Sequence, residues 1–134
     1  MMVEAELFEI RINELEGEQI IILSEKGGER YLPIVIGICE ANAVRYHVHG
    51  IHPPRPLTHD LLKNVISALG GEVVRIVVND LSDRTFFARI AVETENGEIE
   101  IDARPSDAIA LAIRVGCPIY IEEQVLDKNE SEGI

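Results

Sequence analysis

The chain is short of the features that define several common protein classes. It has only two cysteines, Cys39 and Cys117, with no CxxC spacing. A zinc ribbon and a dithiol redox motif are therefore set aside, and two buried, reduced thiols are expected. No apolar run approaches the ~18 residues of a membrane span. The stretch Met1 to Arg11 alternates and is acidic, unlike a signal peptide. A cytoplasmic location with no membrane partner is the expectation. Positive charge is also scarce: 12 Lys+Arg stand against 24 Asp+Glu, a net charge of −12. A domain that holds nucleic acid on a broad basic surface does not have this balance. The sequence contains no GxSxG elbow, P-loop, GxGxxG or HExxH, so nucleophilic serine or cysteine catalysis has no support. Thr58-His59-Asp60 has triad-like residue types, but sequence neighbours cannot adopt triad geometry among themselves.

What is present fits a single soluble globular domain. The chain has 134 residues, of which 46% are hydrophobic. A chain of this length buries roughly two thirds of its unfolded surface without staples. Charge is unevenly spread. Residues 1–40 carry three basic and nine acidic groups, and residues 92–134 carry three and eleven. Residues 41–91 carry six basic groups, four acidic groups and all four histidines. Nine of the twelve basic residues are arginine, whose planar fork suits carboxylate or phosphate.

Periodicity places the elements. Val3 to Ile12, Gln19 to Ser24 and Arg30 to Ile36 read as strands, the last an edge or bulged strand because of Pro33. Ile38 to His49 reads as a helix. The stiff segment His52 to Pro56 leads to a helix with Thr58 as N-cap, which Gly70 ends. Strands follow at Val73 to Asn79 and Thr85 to Glu95. Asn96-Gly97 predicts a two-residue hairpin turn pairing Glu93 with Glu100 and Arg89 with Arg104, with Ile99 and Ile101 facing the core. Pro105 opens a helix whose buried stripe is Ala108, Leu111, Ala112 and Val115. Pro118 to Glu122 is a last strand, and the tail from Asp127 reads as frayed. The expected fold is α+β, with a mixed, largely antiparallel sheet and three main helices in the order βββααβββαβ. One domain spans residues 1–127, with a polar tail over 128–134. The two halves echo each other, because Glu40-Ala41-Asn42-Ala43 precedes Asp107-Ala108-Ile109-Ala110 by 67 residues.

Three places can carry chemistry. The polar face of the hairpin holds Glu93, Glu95, Glu98, Glu100 and Asp102, either solvated or open to a divalent cation. The strand–helix junction Asp102-Ala103-Arg104-Pro105-Ser106-Asp107 sets two acids and an arginine together. They either cap the helix or hold a metal and a phosphate. The segment Arg55 to Asp60 projects an arginine from a stiff loop and puts His59 and Asp60 on the exposed side of a helix start. It is a phosphate clamp with a general base, an interaction loop, or a loop pinned by an Asp60–Lys63 pair. His47, His49 and His52 are expected in solvent.

The runs Leu32 to Gly37, Pro54-Arg55-Pro56-Leu57-Thr58-His59-Asp60-Leu61-Leu62, Asp102 to Ala112 and Pro118-Ile119-Tyr120 together resemble the bifunctional nuclease family. The likeness runs from about Val3 to Asp127. It implies a nuclease acting on RNA and DNA. The family's strand motif usually has glycine where this chain has Arg84, which adds a charge near the site. Hydrolysis of a phosphodiester needs an activated water and charge neutralisation, which carboxylate-held Mg²⁺ or Mn²⁺ supplies. The expected metal ligands are Asp102, Asp107 and Glu40. His59, with Asp60, is the expected acid–base group, and Arg55, Arg84, Arg104 and Thr58 the substrate contacts. The competing expectation is a non-catalytic ligand- or protein-binding module. Phe8, Phe86 and Phe87 leave room for a homo-oligomer, expected to be a dimer.

Overall fold

The computed structural model describes residues 1–13, 15 and 17–132. The elements are β1 (Met2–Ile12), β2 (Gln19–Glu25), β3 (Tyr31–Ile36), α1 (Ile38–Val48), α2 (Thr58–Ala68), β4 (Glu72–Ser82), β5 (Thr85–Thr94), β6 (Gly97–Ala103), α3 (Pro105–Val115), β7 (Ile119–Glu122) and α4 (Glu123–Glu132). The expected α+β order holds, with one helix added at the end. All seven strands form one sheet in the order β3-β2-β1-β7-β4-β5-β6. Every pairing is antiparallel except β4 with β7. Each half is an antiparallel meander followed by a helix: β1-β2-β3-α1 and β4-β5-β6-α3. That is the echo read from the sequence, and β7 joins the two halves. Pro33 lies on β3, an edge strand, the position in a sheet where proline is tolerated.

The central helix is α3. Ala108, Ile109, Ala110, Leu111 and Ala112 are all fully buried, so the helix is wrapped rather than laid on a surface. The small alanines let α1 and α2 approach it. Arg114 ties the three together from a side chain only 4% exposed. Its Nε donates to Asp60 Oδ1 at 2.7 Å, Nη1 to the Ala110 carbonyl at 2.9 Å, and Nη2 to the Ala43 carbonyl at 2.9 Å.

Several expectations are corrected. The β5–β6 hairpin pairs Thr94 with Gly97, Glu93 with Glu98, Ala91 with Glu100 and Arg89 with Asp102. The turn residues are therefore Glu95 and Asn96. Gly97 takes the left-handed position at φ 107 while Asn96 does not, the pattern of a type I turn closed by a glycine bulge. A shift of two residues preserves the faces, but Ile99 and Ile101 stay exposed on the edge strand β6. Thr58 is the first helical residue and Leu57 the N-cap. The stretch from Asp127 is not frayed through residue 132, because α4 buries Val125, Leu126 and Asn129. Residues 133 and 134 of the expected tail lie outside the described residues. Cys39 is exposed and Cys117 half-buried, and both are free. No helix among the described residues is long and apolar enough to cross a membrane.

Candidate active site

Each of α1, α2 and α3 carries an acid at its third residue: Glu40, Asp60 and Asp107. The free N–H groups and dipole of a helix start favour that placement. Two of the three acids meet. Arg104, the N-cap of α3, is held in extended geometry by the following Pro105. Its Nη2 lies 2.8 Å from Glu40 Oε1 and 2.7 Å from Asp107 Oδ2. Its Nε donates to the same Asp107 oxygen at 2.9 Å. The other oxygen, Asp107 Oδ1, is 2.8 Å from His59 Nε2. Glu40, Arg104, Asp107 and His59 thus form one continuous chain, contributed by α1, the β6–α3 junction and α2.

Burial differs sharply along that chain. Glu40 is 8% exposed and His59 7%, whereas the Arg104 side chain is 69% exposed. Glu40 and His59 are enclosed, and the guanidinium between them faces solvent. Bonding to Asp107, then the charges of Asp107 and Glu40, raise the Arg104 pKa further, so it stays cationic at every working pH. The four residues line a cavity of about 230 Å³ together with Cys39, Asn42, Tyr46 and Thr58. With Nε2 committed to Asp107, His59 has Nδ1 left to act, and no described residue bonds to it. A buried imidazole oriented by a carboxylate, beside a solvent-facing guanidinium, can take a proton from a nucleophile and neutralise an anion in one place.

The structure sorts the expected residues. His59 was expected on the exposed side of the α2 start but is buried. Asp60 is half-buried and directed elsewhere. Its Oδ2 accepts the Leu57 N–H at 2.9 Å and its Oδ1 takes Arg114. The expected Asp60–Lys63 pin is an Asp60–Arg114 pin, and Lys63 instead reaches the Arg114 carbonyl at 3.4 Å. Burial acts to raise the Asp60 pKa, but the Leu57 N–H and Arg114 outweigh it and leave it below the usual range.

Among the described residues no three His, Cys, Asp or Glu side chains gather to hold a metal, so a resident ion with three protein ligands does not fit. Of the expected ligands, Glu40 and Asp107 converge on Arg104. Asp102 pairs with Arg89 on β5, on the sheet face opposite Ile101 and the helices, because successive strand residues alternate faces. His47, His49 and His52 are exposed, as expected. Arg55 is exposed on the loop before α2. Arg84 stands at the β4–β5 turn and lines a second, larger cavity that also reaches Arg104. Neither Arg114 nor Ser106, discussed below, was singled out from the sequence. Arg114 follows four positions after Ala110 on α3, and no local pattern marks it as buried.

An α+β domain with a buried, carboxylate-oriented histidine beside an arginine is thus defined by fold and geometry. Comparison with known proteins supplies the rest. The bifunctional nuclease domain matches residues 21–133. An uncharacterized protein of Mycobacterium tuberculosis (strain H37Rv) is 43% identical over 125 residues, 93% of this chain and 74% of that protein. Bifunctional nuclease 2 of Oryza sativa subsp. japonica is 28% identical over 109 residues, 79% of this chain and 34% of that protein. Bifunctional nuclease 2 of Arabidopsis thaliana is 25% identical over 107 residues, 78% of this chain and 32% of that protein. The chain therefore spans about a third of the length of those plant relatives. It belongs to the bifunctional nuclease domain family.

Proposed function

We propose that this chain is a nuclease that hydrolyses phosphodiester bonds of RNA and DNA at the Glu40–Arg104–Asp107–His59 site. The observation that carries the reading is the buried His59 held at 2.8 Å by Asp107 in a cavity shared with Arg104. Because DNA lacks a 2′-hydroxyl, one mechanism for both substrates uses water as nucleophile. His59 Nδ1 accepts the water's proton as the oxygen attacks phosphorus, while the P–O bond to the leaving nucleoside oxygen breaks and that oxygen takes a proton from solvent water. Asp107 keeps the ring in the tautomer that leaves Nδ1 free and stabilises the imidazolium that forms. Arg104 exchanges Glu40 for a phosphate oxygen and offsets charge on the phosphate in the transition state. Glu40 then marks the resting position to which the arginine returns.

Mg²⁺ is typically held by one or two carboxylates plus substrate phosphates. Glu40 and Asp107 are the pair that would hold Mg²⁺ or Mn²⁺ arriving with substrate, and the ion would supply charge neutralisation at the phosphate. With a net charge of −12, affinity for polyanions rests on Arg104 and on the ion such carboxylates would hold, not on a broad basic surface.

The test is a cleavage time course on labelled single-stranded RNA, single-stranded DNA and duplex DNA, with Mg²⁺ or Mn²⁺ and with EDTA. The expected result is cleavage that His59→Ala reduces ~10²–10⁴-fold and that Arg104→Met also impairs. Failure to cleave all three substrates would overturn the reading in favour of a binding module.

A further inference from the structure

We propose that the larger cavity next to the active site is a second phosphate subsite, one that takes a substrate phosphate other than the one being cleaved. Its identity as a substrate phosphate rests on the nuclease reading; its preference for phosphate rests on the cavity. The space is about 620 Å³ and lies where the curled sheet brings edge strand β3 toward the β4–β5 turn and the start of α3. That size falls within the few hundred to a thousand Å³ usual for small-ligand sites.

Four features converge there. Gly37, the N-cap of α1, and Arg104, Pro105 and Ser106, the first residues of α3, all line it. Two helix starts therefore open on one cavity, and neither has a side-chain cap bond. Free N–H groups at such starts favour anions. Ser106 is 5% exposed, yet its hydroxyl makes no hydrogen bond to any described residue while the residue lines the cavity. That hydroxyl is not among the fully enclosed groups without a partner, so it still touches solvent and is a donor free for a phosphate oxygen to take. Arg84 lines the same space without an ion pair among the described residues. Its backbone φ is 63, a conformation that arginine adopts only at a cost.

Arg104 borders both cavities and couples the subsite to the chemistry. Acidic groups also face the region. Glu40 and Asp107 both bind Arg104, and a Cβ at Gly37 would meet Glu40 Oε2 at 2.5 Å. Those carboxylates leave Arg84 as the uncompensated cation. Phe86 and Pro33 form an apolar wall on which the attached nucleoside can lie. A terminal monoester and a neighbouring internal diester have the same recognising chemistry.

The experiment is an amide NMR titration of the full chain in a His59→Ala background, which prevents turnover. The probes are inorganic phosphate, a thymidine dinucleotide and its 5′-phosphorylated form. Phosphate is expected to shift the Gly37, Ser106 and Asp107 amides. Adding Ser106→Ala or Arg84→Gln is expected to weaken its binding at least tenfold. Tighter binding of the 5′-phosphorylated dinucleotide assigns the subsite to a terminal phosphate, and equal binding assigns it to an internal one. Unmoved Gly37 and Ser106 amides, or unchanged affinity in both variants, overturns the subsite. The two readings fail separately. Cleavage that depends on His59 without these shifts keeps the nuclease and removes the subsite. The shifts without any cleavage by the native chain do the reverse.

Discussion

Replacing Arg84 with glycine should make this protein more stable while weakening its hold on substrate. Asp83 and Arg84 both have positive φ, 50 and 63, as the turn between β4 and β5 requires at both central positions. Aspartate tolerates that region because its short side chain bonds locally, but for arginine it costs roughly 1–2 kcal/mol. Glycine removes that strain and adds ~0.5–1 kcal/mol of unfolded-state entropy. The net expectation is a gain of about 0.5–1 kcal/mol, or a Tm rise of about 2–4 °C at this chain length. Urea midpoints at fixed m, together with a thermal scan, measure it. The nucleic-acid affinity of the same variant should fall, because the guanidinium leaves the larger cavity. A loss of stability on Arg84→Gly would refute the strain reasoning and imply contacts from Arg84 that the structure does not contain. A gain in stability with unchanged affinity would refute its role as a ligand.

Other consequences follow from named contacts. Asp60→Asn removes a charge-assisted bond to the buried Arg114 and should cost about 2–3 kcal/mol, read from urea unfolding. The Asp60 carboxyl has a folded pKa below its unfolded value. Its contribution is therefore fully present above the ordinary carboxylate range and lost as pH falls through the folded pKa. The native chain and Asp60→Asn should accordingly converge in stability under acid conditions and differ at pH 7. Burial raises the Cys117 thiol pKa while Cys39 is exposed, so iodoacetamide should label Cys39 first by mass spectrometry. Nucleotide should slow that labelling if it binds at the proposed site, because Cys39 lines the cavity that holds His59 and Arg104. Leu111→Ala in the fully buried face of α3 should cost ~3 kcal/mol with no selective effect on catalysis once the protein is folded.

Much of the fold was legible because local and global signals agree. The β-branched and leucine runs that build β2 and β4, Pro105 at the start of α3 and Gly116 at its end each have one favoured structure. The helix α4 was not legible. Its apolar content is Val125 and Leu126 within a polar stretch, and only the tertiary site that buries them shows their purpose. The hairpin register was missed because Asn-Gly serves two turn types that differ by where the glycine falls. For the site, the two motifs that hold His59 and Asp107 stood out, but not their contact across 48 residues. Asp60 and His59 are adjacent in sequence and looked alike in role. Helix geometry sends one to Arg114 and the other to Asp107. Asp102 looked equivalent to Asp107, and strand alternation turned it to the other face of the sheet. Ser106 gave no signal at all, since a serine at a helix start is ordinary until it is found lining a cavity with its hydroxyl unbonded.

The claim that His59 and Asp107 act as one catalytic unit is tested most directly by a double-variant cleavage assay on labelled single-stranded RNA and DNA. It compares the native chain, His59→Ala, Asp107→Asn and the two combined, all purified identically. The account predicts that each single change removes most of the rate and that the combination costs little more than His59→Ala alone, as for residues that work as a unit. Cleavage that survives His59→Ala undiminished, or effects that multiply independently, would contradict it.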